Sequence, residues 1–317
     1  LAAQFNLQGW QFVKLVEWPI FRQQCLPTFS LIFMLCFTSF TVVLTLGGGP
    51  QYTTLETAIY QAILFEFDLP KAALFAMLQF VFCLVLFSLT SRFSPSNQNG
   101  LSNSHPWFEK PKSAVKIFHV FVLLLFVFFL FSPVLNILIS ALSSPSLLTV
   151  WHNSQLWRAL GYSLSIAPLS ALIALMMAIA LLLLSRRLEW LHYQKIAQFI
   201  INAGMVILAI PILVLAMGLF LFLQERDFSN IDLFVIVVLC NALSAMPFVL
   251  RILSAPFHNN IRYYENLCNS LGIVGWQRFY MIEWQTLRAP LRYAFALALA
   301  LSLGDFTAIA LFGNQEF

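Results

Sequence analysis

The sequence predicts an all-α, polytopic membrane protein, and three observations support this fold class. Hydrophobic residues make up 60% of the 317 residues, charged residues make up 9%, and the mean hydropathy is +0.84. A soluble globular chain carries roughly 25% charged residues, so this chain has too little polar surface to fold in water. The charges occur in short stretches between apolar runs of about 20 residues, which is the length that crosses a bilayer core as a helix.

Seven apolar segments predict seven transmembrane helices. These segments are residues 26–46, 72–89, 117–142, 159–184, 196–223, 231–253 and 290–311. Several of them contain internal prolines, among them Pro133, Pro211 and Pro247. Such prolines are tolerated in membrane helices because neighbouring helices satisfy the freed backbone groups.

The distribution of basic residues predicts the orientation of these helices. If the N-terminal segment lies in the cytoplasm and each helix crosses the membrane, 14 of the 17 Lys and Arg residues fall on the cytoplasmic side. An excess of Lys and Arg in cytoplasmic loops is the usual pattern in membrane proteins. The opposite loops are instead rich in acidic residues, which are Glu56, Glu66, Asp68, Glu225 and Asp227.

An internal repeat appears when the sequence is compared with itself at an offset of 266 residues. Residues 9–18 (GWQFVKLVEW) align with residues 275–284 (GWQRFYMIEW), and 13 of the 51 overlapping positions are identical. Six predicted helices separate the two copies, so both copies face the same side of the membrane. Repeats of this kind are related by an axis along the membrane normal.

The repeat predicts a division of the chain into three parts. Residues 1–90 are the C-terminal part of a first repeat, with a cytoplasmic loop and two membrane helices. Residues 91–115 are rich in Ser, Asn and Pro and read as a cytoplasmic linker. Residues 116–317 are a second repeat that lacks its last helix. By symmetry, we expect the chain to be a fragment of a duplicated protein with about twelve helices, six in each repeat.

The duplicated segment predicts two helices joined by a sharp turn, which a glycine allows. Three apolar pairs recur in the two copies at helical spacing, and they are Trp10/Trp276, Val13/Phe279 and Val16/Ile282. An apolar ridge on a cytoplasmic loop is a docking element for the groove of a partner protein. The alternative is that these residues pack against the cytoplasmic ends of their own helix bundle. Glu17 and Glu283 are either solvated carboxylates or partners in a specific salt bridge.

This segment resembles the cytoplasmic coupling motif of ABC importer permeases, which reads approximately EAA, three residues, Gly, and an apolar stretch ending in Leu-Pro. Ala2 and Ala3 match the paired alanines, and Leu271 and Gly272 match the central Leu-Gly, whereas Asn6 occupies the glycine position of the first copy. In the second copy, Gln285 stands where the motif has Pro. The resemblance implies two ATPase-coupling loops, which contain Ala2, Ala3, Gly9, Trp10, Glu17, Leu271, Gly272, Gly275, Trp276 and Glu283.

Further stretches look like the thiamine transport system permease, a fused double permease of the type I ABC importer kind. They are GGGPQYTTLETAIYQAILFEFDLPKAALFAMLQ, NSLGIVGWQRF and LSLGDFTAIALFGN. This resemblance implies a multi-pass protein of the cell inner membrane that takes thiamine and its phosphates into the cytoplasm. The implied partners are a cytoplasmic ATP-binding subunit dimer and a periplasmic substrate-binding protein. Two alternatives stay open, a ferric-iron ABC permease of the same architecture and an ion-coupled secondary transporter, which would need buried acid or cation relays.

The sequence contains no pattern that predicts chemistry of its own. It has no GxxxxGK[ST] phosphate-binding loop, so we expect a separate subunit to hydrolyse ATP. The five cysteines form no CxxC pair, and no His, Cys and acid group has catalytic or metal-site spacing. We therefore expect a transport subunit that is not an enzyme, with no cofactor or resident metal. The basic residues lie at helix ends and form no nucleic-acid-binding patch.

Two polar residues inside predicted spans are candidates for the transport pathway or its gate. Asp305 is the one acidic residue clearly inside a predicted span, away from its ends, where a carboxylate costs about 2.5–3.5 kcal/mol. We expect it to face the bundle interior or a cavity, with a packing or gating role as the alternative to contact with substrate. Ser39 occupies the matching position of the first copy, so any role is asymmetric. For Asn241, the default expectation is an interhelical hydrogen bond worth about 0.6 kcal/mol.

Overall fold

The computed structural model describes residues 10–47, 53–93, 113–143, 152–223, 230–273, 275–305 and 307–312. These residues form helices and turns, and none of them is in a β-strand. Five of the described helices are long and apolar enough to cross a membrane, and the number rises to seven if each of two bent helix pairs counts as one span. The chain is an all-α polytopic membrane protein, as its composition predicts.

The helices that position the candidate site are numbered here in chain order. They are α1 (Trp18–Phe37), α2 (Phe40–Leu46), α3 (Leu55–Leu64), α4 (Leu69–Phe93), α5 (Ser113–Ser143), α6 (Ser154–Trp190), α7 (Gln194–Val206), α8 (Ile212–Leu223), α9 (Asn230–Leu271), α10 (Trp284–Gly304) and α11 (Thr307–Phe312).

The chain divides into two compact units. The first holds α5 and the start of α6, up to Tyr162, and α5 is exposed along nearly its whole length. The second holds the described residues 10–93 and those from Ser163 onward, and it contains the candidate site. The division predicted from the repeat, at residues 90 and 115, stays a prediction, because residues 94–112 lie outside the described residues.

Helices α6, α9 and α10 form a core through small side chains. Alanines recur along the buried face of α6 at positions 171, 174 and 178, and α10 contributes alanines at positions 294 and 298. Helix α9 packs larger side chains against them, which include Met246, Leu250 and Leu253. Small residues at these spacings let membrane helices approach closely, and the packing of the side chains then holds them together.

A second core joins helices from the two repeats. Phe40 of α2 and Ile59 of α3 are fully buried there, with Leu213 of α8, Ile236 of α9 and Ala308 of α11 on the other side. The Phe40 ring also packs against the Tyr60 ring, with the ring centroids 5.0 Å apart. Side chains of the first repeat therefore complete a core that the second repeat shares.

The two copies of the repeat have the same local backbone structure. A π-helical turn covers Val13–Glu17 in the first copy and Phe279–Glu283 in the second, at the same offset of 266 residues. The α-helix that follows begins at Trp18 and Trp284, respectively. Both helices are then interrupted at matching positions before the short helices α2 and α11 begin. This agreement supports the duplication inferred from the sequence.

Three predicted spans are interrupted rather than continuous. The segment 26–46 bends by 48° between α1 and α2, and the segment 290–311 divides at Asp305. The segment 196–223 bends by 96° ahead of α8, because Ile210 is extended (ψ 123°) and Pro211 follows it. A proline disfavours the helical conformation of the residue before it, so this break follows from the sequence.

Helix α3 lies in a region where the sequence predicts an outer loop. The helix begins after Thr54, whose backbone N–H donates to Oγ1 of Thr57 at 2.8 Å. This bond belongs to a reciprocal cap that satisfies groups at the first turn. The cap is made by a Thr-x-x-Thr pattern, which is weaker than the usual pattern with Glu or Gln.

Candidate functional site

Glu56 is buried inside the helix bundle, with 1% of its surface exposed. It lies on the same face of α3 as the buried Ile59 and Ile63, at spacings of three and seven residues. The prediction that Glu56 lies in an outer loop is therefore wrong. Its place on the apolar face of an amphipathic helix is the signal that sequence reasoning missed.

Gln79 of α4 is the hydrogen-bond partner of Glu56. It lies on a buried stripe with Ala72, Ala76 and Cys83, and its own side chain is fully buried. Its Nε2 donates to Oε1 of Glu56 at 3.2 Å. A single amide within a stripe of small residues would have indicated this site in the sequence, since a buried polar group needs a partner.

The Glu56–Gln79 pair leaves two acceptor atoms without a partner. Oε2 of Glu56 and Oε1 of Gln79 are buried and receive no hydrogen bond from the described residues. Burial raises the pKa of the Glu56 carboxyl to about 8, against the effect of the Gln79 hydrogen bond. The nearby charge of Asp305 raises this pKa further. When Glu56 is ionised, the pair is thus a buried site with a surplus of acceptors.

Asp305 lies at the interruption between α10 and α11. Its Oδ1 accepts a hydrogen bond from the backbone N–H of Thr307 at 2.9 Å, which is the bond an acidic residue makes at a helix N-terminus. Its carboxylate is close enough to Glu56 for the two groups to interact electrostatically. Asp305 therefore faces the bundle interior, as the sequence predicts, and Glu56 is the neighbour that the sequence did not reveal.

Asn241 forms the interhelical hydrogen bond that the sequence predicts by default. Its Nδ2 on α9 donates to Oγ of Ser302 on α10 at 3.0 Å, and both residues are buried. Its Oδ1 receives no hydrogen bond from the described residues. A structural role linking α9 to α10 accounts for this residue.

The second copy of the duplicated segment contains the sharp turn predicted from its glycines. Helix α9 ends at the exposed Leu271, and Gly272 follows in the left-handed region with φ +67°. The backbone N–H of Ile273 then donates to the carbonyl of Cys268 at 3.0 Å. Gly275, with φ +63°, begins the short helix Gly275–Arg278. A left-handed glycine followed by a hydrogen bond back to the last turn is the usual way in which a glycine ends a helix.

The π-helical turns change which residues of the segment are exposed. Of the predicted ridge, Trp10 and Val13 are exposed and Ile282 is half-buried, while the side chains of Val16, Trp276 and Phe279 lie outside the described residues. Two matched positions carry an exposed apolar side chain in both copies. We call Leu15 and Trp18, which are 61% and 56% exposed, the first exposed pair. Met281 and Trp284, which are 57% and 47% exposed, are the second exposed pair.

The π-helical turns depart from the regular helical spacing that the ridge prediction assumes. A π-helix bonds each residue to one five positions away, so it contains one more residue than an α-helical turn. Regular helical spacing from Trp10 therefore fails beyond the turn. Turns of this type are frequent at functional sites. Their presence in both copies therefore favours a functional role for the duplicated segment.

The remaining candidate coupling residues are only partly within the described residues. Ala2, Ala3 and Gly9 lie outside the described residues, so their coupling role stays a prediction. Glu17 is exposed at the end of the first π-helical turn. Trp276 lies in the short helix Gly275–Arg278, and Glu283 ends the second π-helical turn.

Replacing Gly272 by alanine is expected to lower the free energy of unfolding by about 1–2 kcal/mol. The left-handed conformation of this residue brings a Cβ atom too close to the following carbonyl oxygen. Unfolding of the purified full-length protein in mild detergent measures the change. Gly218→Ala in α8 is the control, because no atom lies within 4 Å of its added Cβ and its φ is not positive. Equal losses for the two variants would contradict the role of backbone conformation.

Comparison with known proteins identifies close relatives of this chain. It is 93% identical over 317 residues to the thiamine transport system permease protein ThiP of Haemophilus influenzae, covering 100% of this chain and 59% of that protein. It is 40% identical over 319 residues to ThiP of Escherichia coli K12, with the same shares covered. ThiP of Brucella abortus is 34% identical, over 99% of this chain and 58% of the relative.

The chain thus spans about three fifths of the length of the curated relatives it matches. No family model matches it, and no solved structure matches it. The resemblance to the thiamine transport system permease that the sequence motifs indicate is confirmed.

Proposed function

We propose that this chain is part of the membrane-spanning permease of an ATP-driven, binding-protein-dependent importer that moves thiamine, and its phosphates, into the cytoplasm. The single observation that carries the proposal is the 93% identity, over all 317 residues, to a protein named as a thiamine transport system permease. Relatives at 34–40% identity carry the same name, which favours thiamine over ferric iron.

The proposed partners are a dimer of ATP-binding subunits in the cytoplasm and a substrate-binding protein in the periplasm. ATP hydrolysis belongs to the ATP-binding subunits in this proposal, and the membrane is the cell inner membrane. Two exposed apolar pairs in the two copies of the repeat, which the positive-inside pattern assigns to the cytoplasmic side, suit a partner with two-fold symmetry.

Uptake of labelled thiamine by the full-length protein tests this function. The protein is expressed in bacterial cells that lack their own thiamine permease, together with its ATP-binding subunit and binding protein. We expect it to restore uptake at low thiamine concentrations and to lose this activity when the ATP-binding subunit cannot hydrolyse ATP. Restored uptake of ferric iron instead of thiamine would contradict the substrate. Uptake that persists without ATP hydrolysis would support an ion-coupled transporter instead.

A further inference from the structure

The helix interruptions in the two repeats occur at corresponding positions. Thr38 and Ser39 separate α1 from α2, and the matching residues of the second repeat, Gly304 and Asp305, lie at the end of α10. In transporters built from repeats, interrupted helices at corresponding positions indicate the substrate site, because the interruption exposes polar backbone groups to a cavity. The interruption in the second repeat differs from its counterpart in carrying a carboxylate.

The described side chains around this interruption offer acceptors and two carboxyl groups, and no ion pair among the described residues neutralises these carboxyl groups. Glu56 and Asp305 interact electrostatically, and neither forms an ion pair with a described residue. Gln79 is fully buried and bonded to Glu56, yet its Oε1 has no partner among the described residues. A buried acceptor left without a donor costs about 1–3 kcal/mol, so this arrangement is complemented by a ligand that brings positive charge or donors.

The two carboxylates come from different repeats. Glu56 belongs to α3 of the first repeat, whereas Asp305 follows α10 of the second, and both lie beside the core that the repeats share. In repeat-built transporters, one repeat moves against the other around a fixed site near the middle of the membrane. A site that draws its charged groups from both repeats changes its geometry during such a movement, so it can release a bound cation.

We propose that Glu56, Gln79 and Asp305 form a recognition site for an organic cation, the thiazolium ring of thiamine, at the helix interruption of the second repeat. This proposal rests on the proposed function, which supplies a substrate with one permanent positive charge and an aminopyrimidine that donates hydrogen bonds. The carboxylates would face the charge, and the amide oxygen of Gln79 would accept a donor. The first repeat has Ser39 at the position that matches Asp305, so only the interruption of the second repeat carries a carboxylate. One such site per molecule fits a ligand with a single positive charge.

Direct binding to the permease tests this site without the selectivity of the binding protein. The probe is labelled thiamine, added to the full-length permease and its ATP-binding subunit in lipid nanodiscs with no binding protein present. We expect Glu56→Gln and Asp305→Asn each to weaken thiamine binding at least about tenfold, since each removes a carboxyl group that can face the cation in its ionised form. Glu66→Gln is the matched control, because Glu66 is an exposed carboxylate paired with Lys71. We expect less than about a twofold change for this control.

A second measurement separates recognition of charge from a general structural role. The competitor is an uncharged thiamine analogue in which a thiophene ring replaces the thiazolium ring. The wild type should prefer thiamine over this analogue, and the Glu56→Gln and Asp305→Asn variants should lose most of that preference. Equal weakening of both ligands in the variants, or unchanged thiamine affinity, would overturn the proposal.

The pH dependence of binding provides a further readout. Glu56 faces Gln79 and Cys83 on α4 and Asp305 at the interruption. Because burial raises the pKa of the Glu56 carboxyl to about 8, it is largely protonated at neutral pH in the empty site. Thiamine affinity should therefore rise from about pH 6.5 to about pH 8 in the wild type and change less in Glu56→Gln. The same pH profile in both proteins would contradict contact between Glu56 and the cation.

Failure of the site and failure of the proposed function give different results. If the wild-type system takes up no thiamine in cells, the proposed function is wrong. If it takes up thiamine while the Glu56→Gln and Asp305→Asn variants keep their preference for the charged ligand, only the site is wrong. Size-exclusion profiles of the nanodiscs show whether each variant is folded.

Discussion

Serine substitution of both exposed pairs is expected to lower thiamine uptake by the full-length protein more than about tenfold. The two pairs, Leu15 with Trp18 and Met281 with Trp284, present large apolar side chains at matched positions of the two copies. Buried Trp side chains carry much of the binding energy at protein interfaces, where truncation of one commonly costs about 2 kcal/mol or more. Substitution of one pair alone should have a smaller effect, because the other pair would still bind its ATP-binding subunit.

Three measurements check this result: thiamine uptake, co-purification of the ATP-binding subunit, and unfolding of the permease in detergent. Phe67→Ser is the control, because Phe67 is an exposed aromatic residue in the turn between α3 and α4, on the opposite side in the predicted topology. Docking predicts loss of uptake and of co-purification with unchanged stability. If stability falls and co-purification persists, the exposed pairs instead pack against the cytoplasmic ends of the bundle.

Replacing Phe40 by alanine is expected to lower the free energy of unfolding by about 3–5 kcal/mol. Phe40 is fully buried in the core shared by the two repeats, and its ring packs against Tyr60. Removal of the ring leaves a cavity whose surrounding side chains, on helices of both repeats, can collapse only in part. Because neighbouring helices lose their packing contacts together, this substitution should weaken the association of the repeats.

Val42→Ala is the matched control for Phe40→Ala, since Val42 lies on the same short helix and is 57% exposed. Its truncation should cost less than about 1 kcal/mol, because it loses few packing contacts. Unfolding of the purified full-length variants by denaturing detergent compares the two. Similar losses for both would show that the shared core contributes little to stability.

Much of the candidate site could not be predicted from the sequence because burial depends on neighbouring helices. The length of the apolar runs predicts the position of Asp305 in a span, and the cost of a carboxylate in lipid predicts that it faces inward. Glu56 lies in a helix of 10 residues, which is too short to cross a membrane. Hydropathy therefore assigns this segment to a loop on the outer side. Only its packing against α4 and the second repeat places its carboxyl beside Gln79 and near Asp305.

In the duplicated segment, too, the sequence predicts the overall arrangement but not which side chains are exposed. The identical residues at an offset of 266 predict two matching cytoplasmic loops, and the glycines predict the turn at Gly272. A regular helical period then selects Trp10, Val13 and Val16 as the ridge. The π-helical turns interrupt this period, and their presence depends on backbone hydrogen bonds that no residue pattern specifies. Leu15 and Met281, which are both exposed, lie within these turns.

The sequence by itself determined the fold class of this protein and predicted its orientation and its repeat. Each of these depends on composition, on the spacing of apolar residues or on identity between segments, all of which are properties of the chain alone. The tertiary structure decided which polar side chains meet, which helices are interrupted and which apolar side chains stay exposed. These features depend on contacts between residues far apart in the chain, and a charge or an apolar ridge acquires its role only when those contacts fix its surroundings.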